Sequence, residues 1–246
     1  MSQTDMSVWE GEPVYVRDTV FQPIDTPTAV DEVARRIRQA IVLGVLRDGD
    51  RLPAETEFAK RLGVGVMTVR AALSELRADG LLVTYRGRLG GSFVASSDKA
   101  VQSGSAAPCA ERLRENADVL AGLESHATRR ATELATADER GALADLVAEL
   151  DKAQQPRQIS ALNNRFHLTI ASASRNRLLV SEISQRRAEL HAAAFAVSGI
   201  RLPLLPGNEP HRDILEAMTL GAASGAADLM WRHHKATMDE ILSSIG

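Results

Sequence analysis

Three histidines in the second half of the chain could together bind a metal ion. His167, His211 and His233 fall in three separate segments with helical periodicity, and helices that pack side by side can bring their imidazoles together inside a bundle. Imidazole suits zinc, nickel, copper or iron better than magnesium. Asn163 lies four residues before His167, so both side chains share one helix face. The spacing alone leaves open the alternative that these histidines are hydrogen-bonded core or surface residues.

A second group of residues, in the first half of the chain, could contact nucleic acid. Residues 29–95 contain eleven Lys and Arg and eight Asp and Glu, whereas the whole chain of 246 residues carries a net charge of −3. This asymmetry makes the N-terminal part the half that could meet phosphate groups.

The elements that must position these N-terminal residues follow from periodicity and turn residues. The order is helix, tight turn, helix, short turn, helix and a basic glycine-tipped hairpin, which is the order of a winged helix-turn-helix. In that motif the third helix lies in the major groove and the hairpin follows the backbone or the minor groove. Gly63 and Gly65 supply the small residues that the turn before the third helix needs. The predicted elements are an edge strand at 20–24, helices at 29–43, 54–62 and 67–79, and strands at 81–86 and 92–95.

Beyond residue 109 the sequence predicts helices only. Aromatic residues make up 4% of the chain, and the abundant Ala and Leu favour helix over sheet. Asp138 and Asn176 are predicted N-caps. The predicted helices cover residues 110–134, 138–153, 157–173, 176–197, 208–220 and 222–244.

Together these patterns predict a mostly α protein in which an N-terminal winged helix-turn-helix with a small β-hairpin wing precedes an all-α C-terminal helical bundle. We predict four segments: a flexible arm at 1–19, a DNA-binding domain at 20–95, a linker at 96–109, and a helical domain at 110–246 that carries the candidate metal ligands.

Composition limits the class of protein and predicts its compartment. The single cysteine, Cys109, excludes a disulfide within the chain and a cysteine-based zinc site, and it fits a reducing cytoplasm. The first twenty residues lack the apolar run of a signal peptide, and no uninterrupted apolar stretch is long enough to span a bilayer. We therefore expect a cytoplasmic protein.

An ordered series of short motifs between residues 51 and 94 resembles the GntR family of transcriptional regulators. The resemblance implies a DNA-binding regulator that acts as a homodimer on a pseudo-palindromic operator. The motifs are RLPAE at 51–55, LGV at 62–64, TVRAAL at 68–73, GLL at 80–82 and GGSFV at 90–94.

The chain departs from that family at two places where relatives carry arginines that meet phosphate or guanine edges. Gly65-Val66 stands where the family has a Ser/Thr-Arg pair, and Thr56 stands where an Arg often follows the Pro-Ser/Ala-Glu motif. These departures place the DNA sequence preference in question. The residues that the resemblance assigns to DNA contact are Arg35, Thr56, Gly65, Val66, Met67, Thr68, Arg70, Arg86, Arg88, Gly90 and Gly91.

The C-terminal half is similar to the FCD ligand-binding domain of the FadR-type branch of GntR regulators. The similarity rests on Phe166-His167 and on His211-x-x-Ile-Leu-x-Ala followed by a histidine twenty-two positions after His211. In that family an Asp and three His bind a metal ion that holds a carboxylate effector. The resemblance therefore implies a divalent metal, with zinc the first choice, held by Asn163, His167, His211 and His233. The alternative is a member that has lost its metal and keeps a polar cavity.

The effector follows from the same resemblance, which implies a small organic acid. Relatives place an Arg four residues before Glu124, where this chain has Leu120. Candidate substitutes for gripping an acid are Arg130, Arg165 and Arg187. His191 and His234 are interpreted as bystanders, and His126 has no assignment.

We therefore interpret the chain as a repressor, not an enzyme, whose operator binding an effector changes by favouring one arrangement of the bundle. Two alternatives stay open. One is a ligand-binding protein that has lost specific DNA binding. The other is a metal-dependent hydrolase, because three histidines and an open position can activate water. No carboxylate adjoins the histidines in sequence to act as a base, and we find no nucleophile elbow or phosphate loop.

Overall fold

The computed structural model describes residues 27–87, 90–95, 110–198 and 208–243. Over these ranges the chain forms nine helices and one antiparallel two-stranded hairpin, which confirms the predicted fold class. The predicted arm, edge strand and linker and the wing residue Arg88 lie outside the described residues. The elements are α1 (Ala29–Val42), α2 (Glu55–Leu62), α3 (Val66–Ala78), β1 (Leu82–Tyr85), β2 (Gly91–Val94), α4 (Ala110–Leu134), α5 (Ala137–Lys152), α6 (Pro156–Ala173), α7 (Arg177–Ser198), α8 (Glu209–Thr219) and α9 (Ala223–Ser243).

The N-terminal domain is held together by one apolar core under three helices and the hairpin. Helix α1 begins with a capping box in which Thr28 and Asp31 satisfy each other's backbone N–H groups. Its buried face, which includes Ile37 and Ile41, packs in the same cluster as Leu73 of α3. Between α2 and α3 the chain turns at Gly63, whose φ of 68° lies in the left-handed region that glycine adopts without strain.

The hairpin closes this domain opposite α1. Strands β1 and β2 pair in a register that sets Leu82 against Val94 and Tyr85 against Gly91. Leu82 and Val94 are buried in the core cluster, whereas Tyr85 is exposed. The hairpin is therefore anchored in the core at its Leu82–Val94 end, whereas the end at Tyr85 is exposed.

The C-terminal domain is a six-helix bundle in which α4 packs against α6, α7, α8 and α9. Its apolar core includes Phe166 and Ile170 of α6 together with Ile214 of α8. The prediction that Asp138 caps α5 was wrong. The N-cap is Thr136, because its hydroxyl accepts the backbone N–H of Glu139 while the Glu139 carboxylate accepts the backbone N–H of Thr136.

The predicted N-cap at Asn176 is confirmed, since its Oδ1 accepts the backbone N–H groups of Leu178 and Leu179 at the start of α7. Of the described helices, none is long and apolar enough to cross a membrane.

The two domains contact each other through α6 and α7. Ala188 of α7 belongs to the core cluster of the N-terminal domain. Gly44, just after α1, lies so close to α6 that a Cβ added to it would stand 2.6 Å from Cβ of Ala161. At the edge of this contact Arg157 Nη1 lies 3.1 Å from Asp48 Oδ2. Helix α6, which carries the candidate ligands Asn163 and His167, therefore touches the N-terminal domain directly.

Candidate metal centre and DNA-binding surface

His167, His211 and His233 meet inside the C-terminal bundle, one from each of α6, α8 and α9. Their ring centroids lie 4.7 to 5.6 Å apart. One ring nitrogen from each lies within 4.8 Å of the other two. All three are buried, with exposed fractions of 2%, 5% and 6%. Three helices thus bring three imidazole nitrogens close together, and imidazole nitrogens are common ligands of transition metals.

Four side-chain atoms of the three histidines and the neighbouring Asn163 have no hydrogen-bond partner among the described residues. These buried atoms are Asn163 Oδ1, His167 Nε2, His211 Nε2 and His233 Nδ1. Each buried polar atom without a partner costs about 1–3 kcal/mol, so four of them on residues of one cluster need a common explanation. One amide oxygen and three imidazole nitrogens form a donor set that fits a divalent transition metal.

Hydrogen bonds on the far side of two rings fix which nitrogen is free to ligate. Asn208 Oδ1 lies 2.8 Å from His211 Nδ1, and its Nδ2 donates to the carbonyl of Val147, so this oxygen accepts from the ring. The carboxylate of Glu124 accepts from His167 Nδ1 in the same way. A proton on Nδ1 leaves the lone pair on Nε2, as in the carboxylate–histidine–metal arrangements of known metal sites.

Glu124 is the anion at the centre of this network. Its Oε1 accepts from Arg187 Nη1 at 2.9 Å, and its Oε2 contacts His167 and lies 2.7 Å from His234 Nε2. Burial acts to raise its pKa, but the contacts with His167, Arg187 and His234 outweigh burial and hold the pKa well below the usual value. The carboxylate is therefore ionised.

Two interpretations of the histidine neighbourhood change as a result. The view of His234 as a bystander was wrong, because it is buried and bonded to Glu124. The absence of a nearby carboxylate in sequence was misleading, since the fold brings Glu124 to His167 from 43 positions away. Neither contact has a local sequence signal. His126, by contrast, is exposed on α4.

The three candidate ligand histidines are neutral. Burial lowers the pKa of His167 and of His233 well below the usual value. Burial, followed by the positive charge of Arg187, lowers the pKa of His211 to about 4. Neutral imidazole is the form that binds metal, so no proton has to be displaced from these rings at neutral pH.

Of the three arginines predicted to grip an effector, the structure brings one to the histidines. Arg187 is buried and lines the same cavity as Asn163 and His167. Arg130 instead donates to the carbonyl of Ser174 at the end of α6. Arg165 lines a separate shallow depression, since two residues along a helix turn the side chain away from the face of His167.

Arg187 is already occupied by internal partners. Its guanidinium donates to Asn164 Oδ1 at 2.8 and 3.1 Å and to Glu124 Oε1 at 2.9 Å. The cavity beside it has a volume of about 20 Å³, which is room for one water-sized group. The described lining residues are Asn163, His167, Arg187, Leu190, His191, His233, His234 and Thr237.

A larger cleft of about 360 Å³ lies between the two domains, lined by residues of α1 and α6. Its lining includes the oppositely charged side chains of Asp48 and Arg157, which pair with each other. Of the six buried side-chain atoms that lack a partner among the described residues, none belongs to a residue with a charged side chain lining this cleft, and three are histidine nitrogens of the cluster.

The predicted DNA-contact residues divide into two groups. Met67 and Arg70 on α3, Thr56 on α2, and Arg86 after β1 are exposed on the winged domain. Gly65 is the N-cap of α3 and is also exposed, and its neighbour Thr68 is half-buried. At the wing, Arg51 Nη2 donates to the carbonyl of Gly90 and lies against Gly91, which steadies the glycine pair at the start of β2.

The other group lies away from that surface. Val66 packs against the apolar core of the domain. Arg35 forms an ion pair with Glu32 and donates to Gln185 of α7 at 3.3 Å. Arg35 thus contacts the C-terminal domain in this structure, and its assignment to DNA contact stays a prediction.

Comparison with known proteins assigns both halves. Residues 29–94 match the family described as bacterial regulatory proteins, gntR family, and residues 115–236 match the FCD domain. The chain belongs to the GntR family and carries a C-terminal FCD domain. It is a transcriptional regulator with an effector-binding domain, and both resemblances predicted from sequence are confirmed.

Individual relatives support the assignment over most of the chain. The HTH-type transcriptional regulator RmpR of Mycobacterium gastri is 30% identical over 240 residues, which cover 95% of this chain and 85% of that protein. The L-lactate dehydrogenase operon regulatory protein of Escherichia coli K12 is 29% identical over 216 residues, with 82% of each chain covered. The fold matches that of E. coli McbR/YncC, with a TM-score of 0.55 at 20% identity over 90% of this chain and all of the other.

Proposed function

We propose that this regulator is a repressor that binds a pseudo-palindromic operator as a homodimer and senses a small organic acid through a divalent metal, zinc, in its FCD domain. The observation that carries the proposal is the set of four buried, unpartnered donor atoms on Asn163, His167, His211 and His233. One ring nitrogen of each histidine lies within 4.8 Å of the other two.

A divalent metal at this site would supply positive charge and an open position for an acid group, and the acid would have to widen the cavity of about 20 Å³. The protein's own side chains orient the ligand rings and set the charge of the site. Glu124 and Asn208 hold the rings of His167 and His211 with Nε2 facing inward. Asn163 is neutral where the family has an acid, so the protein adds no negative charge to the ligand set. The charges of Glu124 and Arg187 offset each other.

That charge balance favours an anionic effector. Neutral donors around a doubly charged ion leave a net positive cavity, which attracts a carboxylate. One relative is named as the regulatory protein of an L-lactate dehydrogenase operon. Lactate is a small organic acid, so this name agrees with a small organic acid as the effector here.

The contacts between the domains provide the coupling. Helix α6 carries Asn163 and His167 and lies against Gly44 through Ala161. On α7, Arg187 faces the histidines while its neighbour Ala188 lies in the core of the DNA-binding domain. An effector that prefers one arrangement of α6 and α7 therefore changes how the DNA-binding domain is held. We expect effector binding to relieve repression.

Elemental analysis of untagged protein tests the metal site. We expect one zinc per chain in the wild type and in His126→Ala, a matched control at an exposed histidine, and little zinc in His167→Ala. Metal-free wild-type protein after growth with zinc, or His167→Ala with full zinc, contradicts the proposal. A reporter gene behind the promoter region upstream of the regulator's own gene tests repression, and sedimentation equilibrium tests the dimer.

A further inference from the structure

We propose that Met67 reads a thymine in the operator by packing against its 5-methyl group, so that the regulator selects an A·T pair beneath the N-terminal end of α3. The inference rests on the DNA-binding role above and deepens it by naming the kind of base.

The first observation is the composition of the exposed face of α3. Met67, Ala71 and Ser74 follow one another at helical spacing, and all three are exposed. Met67 is 68% exposed in the first turn of the helix. In a winged helix-turn-helix this face and this end of the third helix enter the major groove. These three positions present an apolar side chain followed by two small ones, and the exposed charged residues Arg70 and Glu75 flank them.

The second observation is the placement of Arg70 beside this face. Its Nε and Nη2 both lie 2.9 Å from Glu55 Oε2, and its Nη1 lies 3.7 Å from Met67 Sδ. Two edges of the guanidinium are thus occupied by a carboxylate of α2 and by the methionine. Bidentate reading of a guanine would require Arg70 to leave Glu55. As it stands, Arg70 is paired with Glu55 and contacts the sulfur of Met67.

The chemistry of the bases then selects the partner. In the major groove thymine is distinguished by an apolar group, its C5-methyl, whereas guanine presents two acceptors and cytosine a donor. Covering a polar base edge with a thioether side chain leaves that edge without a hydrogen bond, which is unfavourable. Methionine is flexible and polarisable, so it adapts to the methyl group of a thymine. The helix end itself has no acidic residue in its first turn, which leaves it free to approach phosphate.

The test starts with the full-length protein and a pool of random-sequence duplex DNA, from which the preferred site is selected. Each thymine of that site is then replaced by deoxyuridine, which removes only the methyl group. Affinities are measured for the wild type, Met67→Ala and Met67→Leu. Leu220→Ala, which truncates an apolar residue that is 75% exposed in the FCD domain, is the control.

For the wild type we expect one thymine in each half-site at which deoxyuridine weakens binding about fourfold, the factor that one buried methyl group gives. The effect should disappear in Met67→Ala and persist in Met67→Leu and Leu220→Ala. Equal sensitivity of the wild type and Met67→Ala, or no sensitive thymine in the wild type, overturns the role of Met67. Failure to select any sequence instead overturns specific DNA binding itself, so the two failures are distinguishable.

Discussion

The carboxylate Oε2 of Glu124 lies 2.7 Å from Nε2 of His234 and also contacts Nδ1 of His167. Through this one oxygen atom, Glu124 links the candidate ligand His167 on α6 to His234 on α9. His234 is the direct neighbour of the candidate ligand His233. Because Arg187 holds the second oxygen, a buried charge network supports the metal centre from behind.

Glu124→Gln should weaken both the fold and the metal site. The change removes the anion that balances the buried Arg187, and leaving such a charge unpaired costs about 3–5 kcal/mol. Loss of the carboxylate behind a ligand histidine should lower zinc affinity about 10–100-fold. Urea unfolding of the metal-free protein and competition with a chelator measure the two effects. Glu133→Gln, at an exposed position of the same helix, should change neither, and an unchanged zinc affinity in Glu124→Gln counts against the network.

The adjacent histidines of α9 should behave differently. His233 has an unpaired Nδ1 facing the cluster, whereas His234 uses Nε2 to bond Glu124. We therefore expect His233→Ala to abolish stoichiometric zinc binding and His234→Ala to weaken it about tenfold, as other supporting partners of metal ligands do. Chelator competition measures both. The reverse order of the two effects is incompatible with the proposed ligand set.

Asn163→Asp should have opposite effects on the metal-free and metal-loaded proteins. A carboxylate at a position that is 5% exposed is unfavourable without a partner, so the metal-free variant should unfold at a lower temperature than the wild type. With zinc the new anionic ligand should bind more tightly, and the thermal shift on zinc addition should exceed that of the wild type. Differential scanning calorimetry with chelator and with zinc separates the two states. An equal shift for both proteins indicates that residue 163 is not a ligand.

Glu139 should make the stability of the bundle depend on pH in the acid range. Its hydrogen bonds to Arg175 and to the backbone of Thr136 lower its pKa to about 2, so the native state favours the ionised form. The stabilisation is present above the ordinary carboxyl pKa of 4.5 and is lost as the pH falls from there toward 2.

Glu139→Gln keeps the capping geometry and removes the charge. With a chelator present, its stability at pH 7 should fall below that of the wild type by at most about 1 kcal/mol, because Arg175 is exposed. Below pH 3 the difference should shrink. Urea unfolding across this range checks the trend, and a gap that widens as the pH falls refutes the assignment.

The contact of Gly44 with Ala161 should couple the two domains. At φ 70° with 2.6 Å to the Cβ of Ala161, an alanine at position 44 is both strained and crowded. Gly44→Ala should destabilise the protein, and adding Ala161→Gly should recover part of the loss by restoring space. Calorimetry of the four proteins of this cycle measures the coupling. Additive effects of the two changes mean that the domains do not touch there.

The sequence predicted the helices and the wing closely because their signals are local. Strong periodicity and punctuating residues such as Gly63 and Asn176 identify the elements, as the observed bounds agree with those predicted within two residues. The three candidate ligand histidines were found for a different reason, since their order and spacing resemble a known family.

What the sequence did not reveal depends on contacts between distant segments. His234 meets Glu124 across 110 positions, and Arg35 meets Gln185 across 150. Periodicity indicates that one face of a helix is covered, but not which element covers it. For this reason the sequence did not reveal that Arg35 contacts α7 or that His234 contacts Glu124. Similarly, Arg130 and Arg165 have the right chemistry for an acid, and only the packing of α4 and α6 directs them elsewhere.

X-ray absorption at the zinc edge tests the central claim most directly. For wild-type protein loaded with one zinc per chain, we predict three imidazole nitrogens at about 2.0–2.1 Å and at least one oxygen, and one imidazole fewer in His211→Ala. A spectrum with fewer than three imidazoles, or one that is unchanged in His211→Ala, contradicts the account.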